Sequence, residues 1–154
     1  MTAAVLTEAT EADTAELEEF LTRADLTLSG LDSTRVRIWI ERSPERGIVG
    51  SAGYEISEDG KHALIRSVAV HPEEQSEGRG SVLARFTVDR AEDEGVERAW
   101  LFSRRSGPFW QRLGFAPADK DELAEALAET HQVRLFHDSG QLADEVAWVR
   151  QLAA

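Results

Sequence analysis

The segment with the most chemical content runs Ser67-Val-Ala-Val-His-Pro-Glu-Glu-Gln-Ser-Glu-Gly-Arg-Gly-Ser81. It reads as an apolar strand, a proline stop, a polar loop with two glycines and the start of a helix. Backbone N–H groups at a helix start have no acceptor within the helix and sit at the positive end of its dipole, so such a loop suits an anion such as a diphosphate. Gly78 and Gly80 would let the backbone approach that anion closely. A purely structural turn is the other reading of Gly-x-Gly before a helix. The commoner nucleotide loops do not fit: the dinucleotide fingerprint needs a third glycine where Leu83 stands, and the P-loop needs a Gly-Lys-Ser/Thr that is absent. With no cysteine there is no thiolate nucleophile or zinc ribbon, and His62, His71, His131 and His137 lack i,i+4 ligand spacing, so no metal site is expected.

The flanking sequence supplies elements to position this loop. Val5-Leu6 reads as a short first strand, and Thr10 with Asp13 as the start of a helix with Ala12, Ala15, Leu17, Phe20 and Leu21 on its apolar face, ending before Gly30. Val36, Ile38 and Ile40 alternate with polar or aromatic residues, and Ser43–Gly47 turns the chain into Ile48–Ile56, an antiparallel hairpin. Glu58–Gly60 turns it again into His62–Val70, completing a three-stranded meander. Gly78–Glu94 then carries a helical apolar pattern closed by Gly95. Val96–Phe102 reads as a strand, Ser106–Leu113 as a short helix, Gly114–Ala116 as extended chain, Asp119–Thr130 as a helix capped by Asp119, and Glu145–Leu152 as a last strand. Thr130–Asp144 gives no clear pattern. A meander followed by a strand–helix–strand crossover predicts an α/β fold: a mixed sheet with helices on both faces, in a single domain over 1–154.

Gln75-Ser-Glu-Gly78-Arg-Gly80 resembles the acetyl-coenzyme A loop, Gln/Arg-x-x-Gly-x-Gly/Ala, of the GCN5-related N-acetyltransferase (GNAT) family. Val68-Ala-Val70-His71-Pro72 is similar to that family's strand end before the loop, and Phe109-Trp110-Gln-Arg-Leu-Gly114-Phe115 to its Phe-Tyr-x-x-x-Gly-Phe signature. The resemblance implies a mostly antiparallel central sheet with a splayed parallel strand pair. It implies acetyl-coenzyme A as cosubstrate, its pyrophosphate held by backbone amides of Gln75, Ser76, Glu77, Gly78, Arg79, Gly80 and Ser81 and its pantetheine arm by Val68 and Val70. The amide of Val68 would polarise the thioester carbonyl, and an amine would attack directly, with no covalent intermediate. Arg66-Ser-Val-Ala-Val with the later aromatic pair also resembles the branch found with arsenic-resistance genes and related to arsinothricin acetylation.

The chain departs from the family pattern at both proton carriers. Where many members have an acidic base on the fourth strand it has Arg66, and where they have an acidic tyrosine it has Trp110, whose indole N–H is no useful acid at neutral pH. Glu55, His62 or Tyr54 could assist a water relay in place of the missing base. Arg66 reads three ways: an exposed strand residue, a partner for a carboxylate, or a clamp for an acidic group on the substrate. Ser103 and Ser106 read as turn formers or as contacts to pantetheine or substrate, and Arg79, Arg85 and Arg112 as solvated side chains or as charge for the coenzyme phosphates. His71 reads as a turn residue beside Pro72. Trp39, Trp100 and Trp148 read as sheet packing, with a homodimer contact as the second reading.

Composition narrows the class further. The 154 residues carry 17 Lys+Arg against 29 Asp+Glu, a formal charge of −12, which repels a phosphate backbone and argues against nucleic-acid binding. Lys61 and Lys120 are the only lysines and asparagine is absent, a balance suited to a high-salt cytoplasm or to a GC-rich genome with an acidic proteome. No apolar run approaches membrane-spanning length and no basic leader precedes an apolar core, so a cytoplasmic location is expected. The leading expectation is a small-molecule N-acetyltransferase acting on a primary amine, with an acidic group on the substrate if Arg66 faces the cleft. A non-catalytic acyl-coenzyme A sensor or partner-binding module, and a protein N-terminal acetyltransferase, are the alternatives.

Overall fold

The computed structural model describes residues 6–74 and 78–152. Seven strands form one sheet in the order β1-β2-β3-β4-β5-β7-β6: β1 Thr7–Glu8, β2 Val36–Ser43, β3 Gly47–Ile56, β4 His62–Val70, β5 Arg98–Phe102, β6 Ala116–Ala118 and β7 Ala147–Gln151. Every pairing is antiparallel except β4 with β5. The helices are α1 Thr14–Arg23, α2 Arg79–Asp93, α3 Gly107–Arg112, α4 Lys120–Ala126 and α5 His131–Ser139. None is long and apolar enough to cross a membrane.

Alternation along the strands distributes the helices between the two faces. Trp39, Tyr54, Ala63, Ile65, Leu101 and Trp148 point to one face and join Ala84, Val88 and Ala91 of α2 and Trp110 of α3 in the largest core cluster. Their sequence neighbours point to the other: Ile38, Ile40 and Ile48 meet Leu17 and Leu21 of α1, while Leu64, Trp100 and Ala147 meet Leu123 of α4 and Val133 of α5. Full burial of each such Leu, Ile or Val contributes about 1.5–3 kcal/mol. Trp39, Trp100 and Trp148 are thus sheet packing; the Trp100 and Trp148 indoles donate to His62 Nδ1 and the Ser103 carbonyl.

Two predicted elements differ. The first strand lies at Thr7–Glu8, where the chain pairs with Ile40 and Trp39, rather than at Val5-Leu6; Val5 lies outside the described residues. Asp119 caps α4 as predicted, accepting from the amides of Asp121 and Glu122, but α4 stops at Ala126 and a second helix, α5, begins after Thr130. The Thr130 hydroxyl accepts from the Val133 amide, and Gly140, in the left-handed conformation, ends the helix.

Candidate active site

Two departures from regular sheet geometry open the site. The β4–β5 ladder runs only from His62↔Arg98 to Leu64↔Trp100, and beyond it the strands part into a wedge. On its other edge β4 bulges: Gly53 pairs with Arg66 but Ser51 with Ala69, so Ser67 and Val68 together face Ala52. Ser67 takes a positive φ of 60° and its carbonyl accepts the Ser51 hydroxyl at 2.6 Å. The bulge takes this backbone out of the ladder beside the wedge.

A cleft of about 1800 Å³ passes through the wedge. One side of it is lined by Val68 and Val70, by Gly78, Gly80 and Ser81 at the start of α2, and by Phe109. Gly78 holds a φ of 88° as the N-cap of this 15-residue helix. A Cβ on Gly80 would meet only the Phe109 ring at 3.6 Å, an ordinary contact, so the protein's own packing does not demand glycine there. Glycine backbone at a helix start, next to a strand that has parted from β5, fits a diphosphate joined to an extended arm. Gln75, Ser76 and Glu77 lie outside the described residues. The Arg79 side chain reaches Glu74 at 3.2 Å and Glu41 at 3.7 Å, and Arg85 and Arg112 are exposed and do not line the cleft. His71 caps the turn through Nδ1, which accepts from the Glu73 amide, and the Ser103 hydroxyl likewise accepts from the Ser106 amide.

The opposite side of the cleft is lined by Phe20 and Arg23 of α1, by residues 24–29, by Gln132, Leu135 and Phe136 of α5, and by Glu145. Of the three readings of Arg66, neither the exposed strand residue nor the substrate clamp fits its contacts. Its side chain is wholly buried and its Nη1 donates to Glu55 at 2.9 Å; burial pushes the guanidinium pKa down and the Glu55 charge pulls it back. The carboxylate-partner reading is the correct one.

Glu55 cannot serve as the base. It lies outside the cleft lining, and its oxygens are taken by Arg66 and by the amides of His131 at 2.6 Å and Gln132 at 3.2 Å. Nor do the other proposed helpers reach the cleft: Tyr54 is buried on the α2 face with its hydroxyl bonded to Glu94, and His62 is bonded to Trp100. Trp110 lines the cleft while packed edge-on against Phe109 and Phe115.

The sequence reading missed Gln132 and Glu145. Glu145 is 8% exposed and accepts from Gln141 Nε2 at 2.8 Å, with Arg104 Nε 3.5 Å from the same oxygen. Its Oε1 has no hydrogen bond among the described residues. The Thr130 cap, the Gly140 stop and the apolar Val133, Leu135 and Phe136 between them were the available signal for α5.

Residues 4–115 match the acetyltransferase (GNAT) family. The chain belongs to that family. Family members are N-acetyltransferases whose acetyl donor is acetyl-coenzyme A, and the bare α2 start and splayed β4 edge of this GNAT domain fit that donor. Over 84 residues the chain is 36% identical to an amino-acid acetyltransferase of Enterobacter sp. (strain 638), covering 54% of this chain and 19% of that protein. Over 79 residues it is 37% identical to the amino-acid acetyltransferase of Escherichia coli (strain K12), covering 51% and 18%. The matched part is therefore less than a fifth of either relative. Among solved structures, N-acetylglutamate synthase from Neisseria gonorrhoeae, complexed with coenzyme A and L-arginine, superposes with a TM-score of 0.74 at 19% identity, over 100% of this chain and 34% of that one. A GNAT-family acetyltransferase from Staphylococcus aureus Mu50 gives 0.73 at 14%, over 97% and 99%. At these identities the structures establish the GNAT fold, a mixed sheet with one parallel pair and helices on both faces.

Proposed function

We propose that this chain transfers the acetyl group of acetyl-coenzyme A to the primary amine of a small molecule, an amino acid or analogue with an acidic group, by direct attack in a ternary complex. The observation that carries the reading is the continuous cleft, which joins the bare start of α2 to a separate hollow walled by α1 and α5, with the β4 bulge between them. Acetyl-coenzyme A supplies an activated carbonyl; the chain supplies placement and dipoles. In this reading the amides at the α2 start hold the diphosphate, Val68 and Val70 orient the pantetheine, and the Val68 amide stabilises the developing oxyanion.

Two side chains replace those that the sequence suggested. Among the described arginines lining the cleft, Arg23, Arg46, Arg66 and Arg104 are ion-paired, whereas Arg105 has no partner among the described residues, so Arg105 is the guanidinium available to a substrate carboxylate. The similarity to amino-acid acetyltransferases supports a substrate of that kind. Glu145 is the proposed proton acceptor. Val68 and Arg104 each lie four residues beyond the last β4–β5 pair, Glu145 is paired with Arg104, and all three line the cleft.

The test is thiol release from acetyl-coenzyme A with a panel of free amino acids, polyamines and short peptides, for the native chain and for Arg105→Gln and Glu145→Gln. The reading expects turnover with an acidic amino acid, a raised amine KM for Arg105→Gln, and a fall in kcat of about 10²–10⁴-fold for Glu145→Gln. Acetyl-coenzyme A binding without thiol release would point to an acyl-coenzyme A sensor instead, and turnover with peptides alone to N-terminal acetylation.

A further inference from the structure

The Glu55–Arg66 pair has a role outside proton transfer, and its partners show what it is. The two residues are diagonal neighbours across β3 and β4, since Glu55 pairs with Leu64 and Arg66 with Gly53, so both side chains stand on the α1 and α5 face. Their side chains are 2% and 0% exposed. Taking a carboxylate and a guanidinium out of water is costly, and apolar replacements of similar volume are often equally stable, so stability alone does not account for such a pair.

Three segments converge on it. Arg66 Nη2 reaches the Thr27 carbonyl at 3.4 Å in the connection between α1 and β2, and Arg66 Nε reaches the Ser67 hydroxyl at 3.2 Å in the bulge. The Glu55 carboxylate receives the first amides of α5, His131 and Gln132, at the end where helix geometry leaves N–H groups without acceptors. A second contact ties the same two walls together: Ser29 Oγ donates to the His131 carbonyl at 3.3 Å, and the His131 ring fills the space that a Cβ on Gly30 would occupy. Residues 24–29, Gln132, Leu135 and Phe136 line the hollow opposite the cofactor side, whereas Glu55 does not line the cleft.

We propose that Glu55 and Arg66 are positioning residues that lock the α1–β2 connection and the start of α5 into one acceptor-binding wall. The pair therefore sets affinity for the amine and leaves affinity for acetyl-coenzyme A untouched. This rests on the acceptor hollow assigned above.

The test uses Glu55→Gln, Arg66→Met and the double variant Glu55→Gln/Arg66→Met, which leaves no lone buried charge and keeps an amide oxygen to accept from the α5 amides. The amine KM should rise by about tenfold or more, with the acetyl-coenzyme A KM and calorimetric Kd unchanged. Amide hydrogen exchange should quicken across residues 24–31 and 131–134 and stay slow along β2 and β3. A merely structural role would lower the melting temperature and leave both KM values as they were. A folded double variant with native amine KM and native exchange in those two segments would overturn the proposal. Were the native chain to turn over no amine, the transfer reading would fall while exchange and acetyl-coenzyme A calorimetry still decided whether the pair locks this wall.

Discussion

The Ser51 hydroxyl donates a 2.6 Å hydrogen bond to the carbonyl oxygen of Ser67, joining β3 to the bulged residue of β4. Ser67 sits at a φ of 60°, a conformation that costs energy for a residue with a side chain, and both serines are buried. Ser51→Ala should cost about 1 kcal/mol of stability, seen as a lower urea midpoint at constant slope. Because the bulge orients the Val68 backbone, kcat should fall while acetyl-coenzyme A affinity holds. A variant with native kcat would show that the bulge keeps its shape without this bond.

At Gly80 stability and binding should move in opposite directions. Its φ is not in the left-handed region, and a Cβ would meet only Phe109 at an ordinary distance, so alanine fits the fold and favours the helix by up to about 0.5–1 kcal/mol. A methyl group in the cradle would hold the diphosphate off amides whose charge-assisted bonds are each worth about 1.5–3 kcal/mol. Gly80→Ala should therefore melt no lower than the native chain and bind acetyl-coenzyme A at least about tenfold more weakly by calorimetry. Equal binding would move the diphosphate away from this helix start.

The strand–loop–helix unit proposed to hold the cofactor was legible in the sequence because its signals are local. A strand end, a proline, two glycines and a helix face lie within one short stretch, and backbone chemistry needs no side-chain partner from elsewhere. The acceptor side was not legible, because its contacts are long-range. Nothing in the spacing of Glu55 and Arg66 reveals that they pair, since the pairing depends on the register set across the β3–β4 turn, which brings Glu55 opposite Leu64 and Arg66 opposite Gly53. Nor does the segment 130–144 show that its first amides complete Glu55, for α5 is a nine-residue helix with only Val133 and Phe136 fully inside. Arg66 was legible as an unusual residue, but only its neighbours distinguish a clamp from a buried brace.

Acid should loosen α1 from the sheet. Hydrogen bonding from Arg42, then from the Ile48 amide, holds the Glu16 carboxyl below its ordinary pKa; the Thr10 amide, then Arg42, does the same for Asp13. A carboxyl with a depressed folded-state pKa stabilises the fold fully above its unfolded-state value, and that contribution is lost as pH falls through the folded-state value. Stability should therefore decline below about pH 4.5. Glu16→Gln should show a lower urea midpoint at neutral pH and a shallower decline in acid. An unchanged acid limb would place the titration elsewhere.

The C-terminus of α1 offers a stabilising change beside the cleft. The Leu26 amide donates to the Leu21 carbonyl at 3.0 Å and the Asp25 amide to the Thr22 carbonyl at 3.1 Å, a Schellman closure with Asp25 in the left-handed position at a φ of 59°. Asparagine tolerates this conformation at least as well as aspartate, and it removes a negative charge from the end of the helix where the dipole is already negative. Asp25→Asn should raise stability by about 0.3–1 kcal/mol at neutral pH, seen as a higher urea midpoint, and the gain should shrink at high salt, which screens the dipole. A gain that persisted unchanged at high salt would assign the benefit to backbone conformation alone.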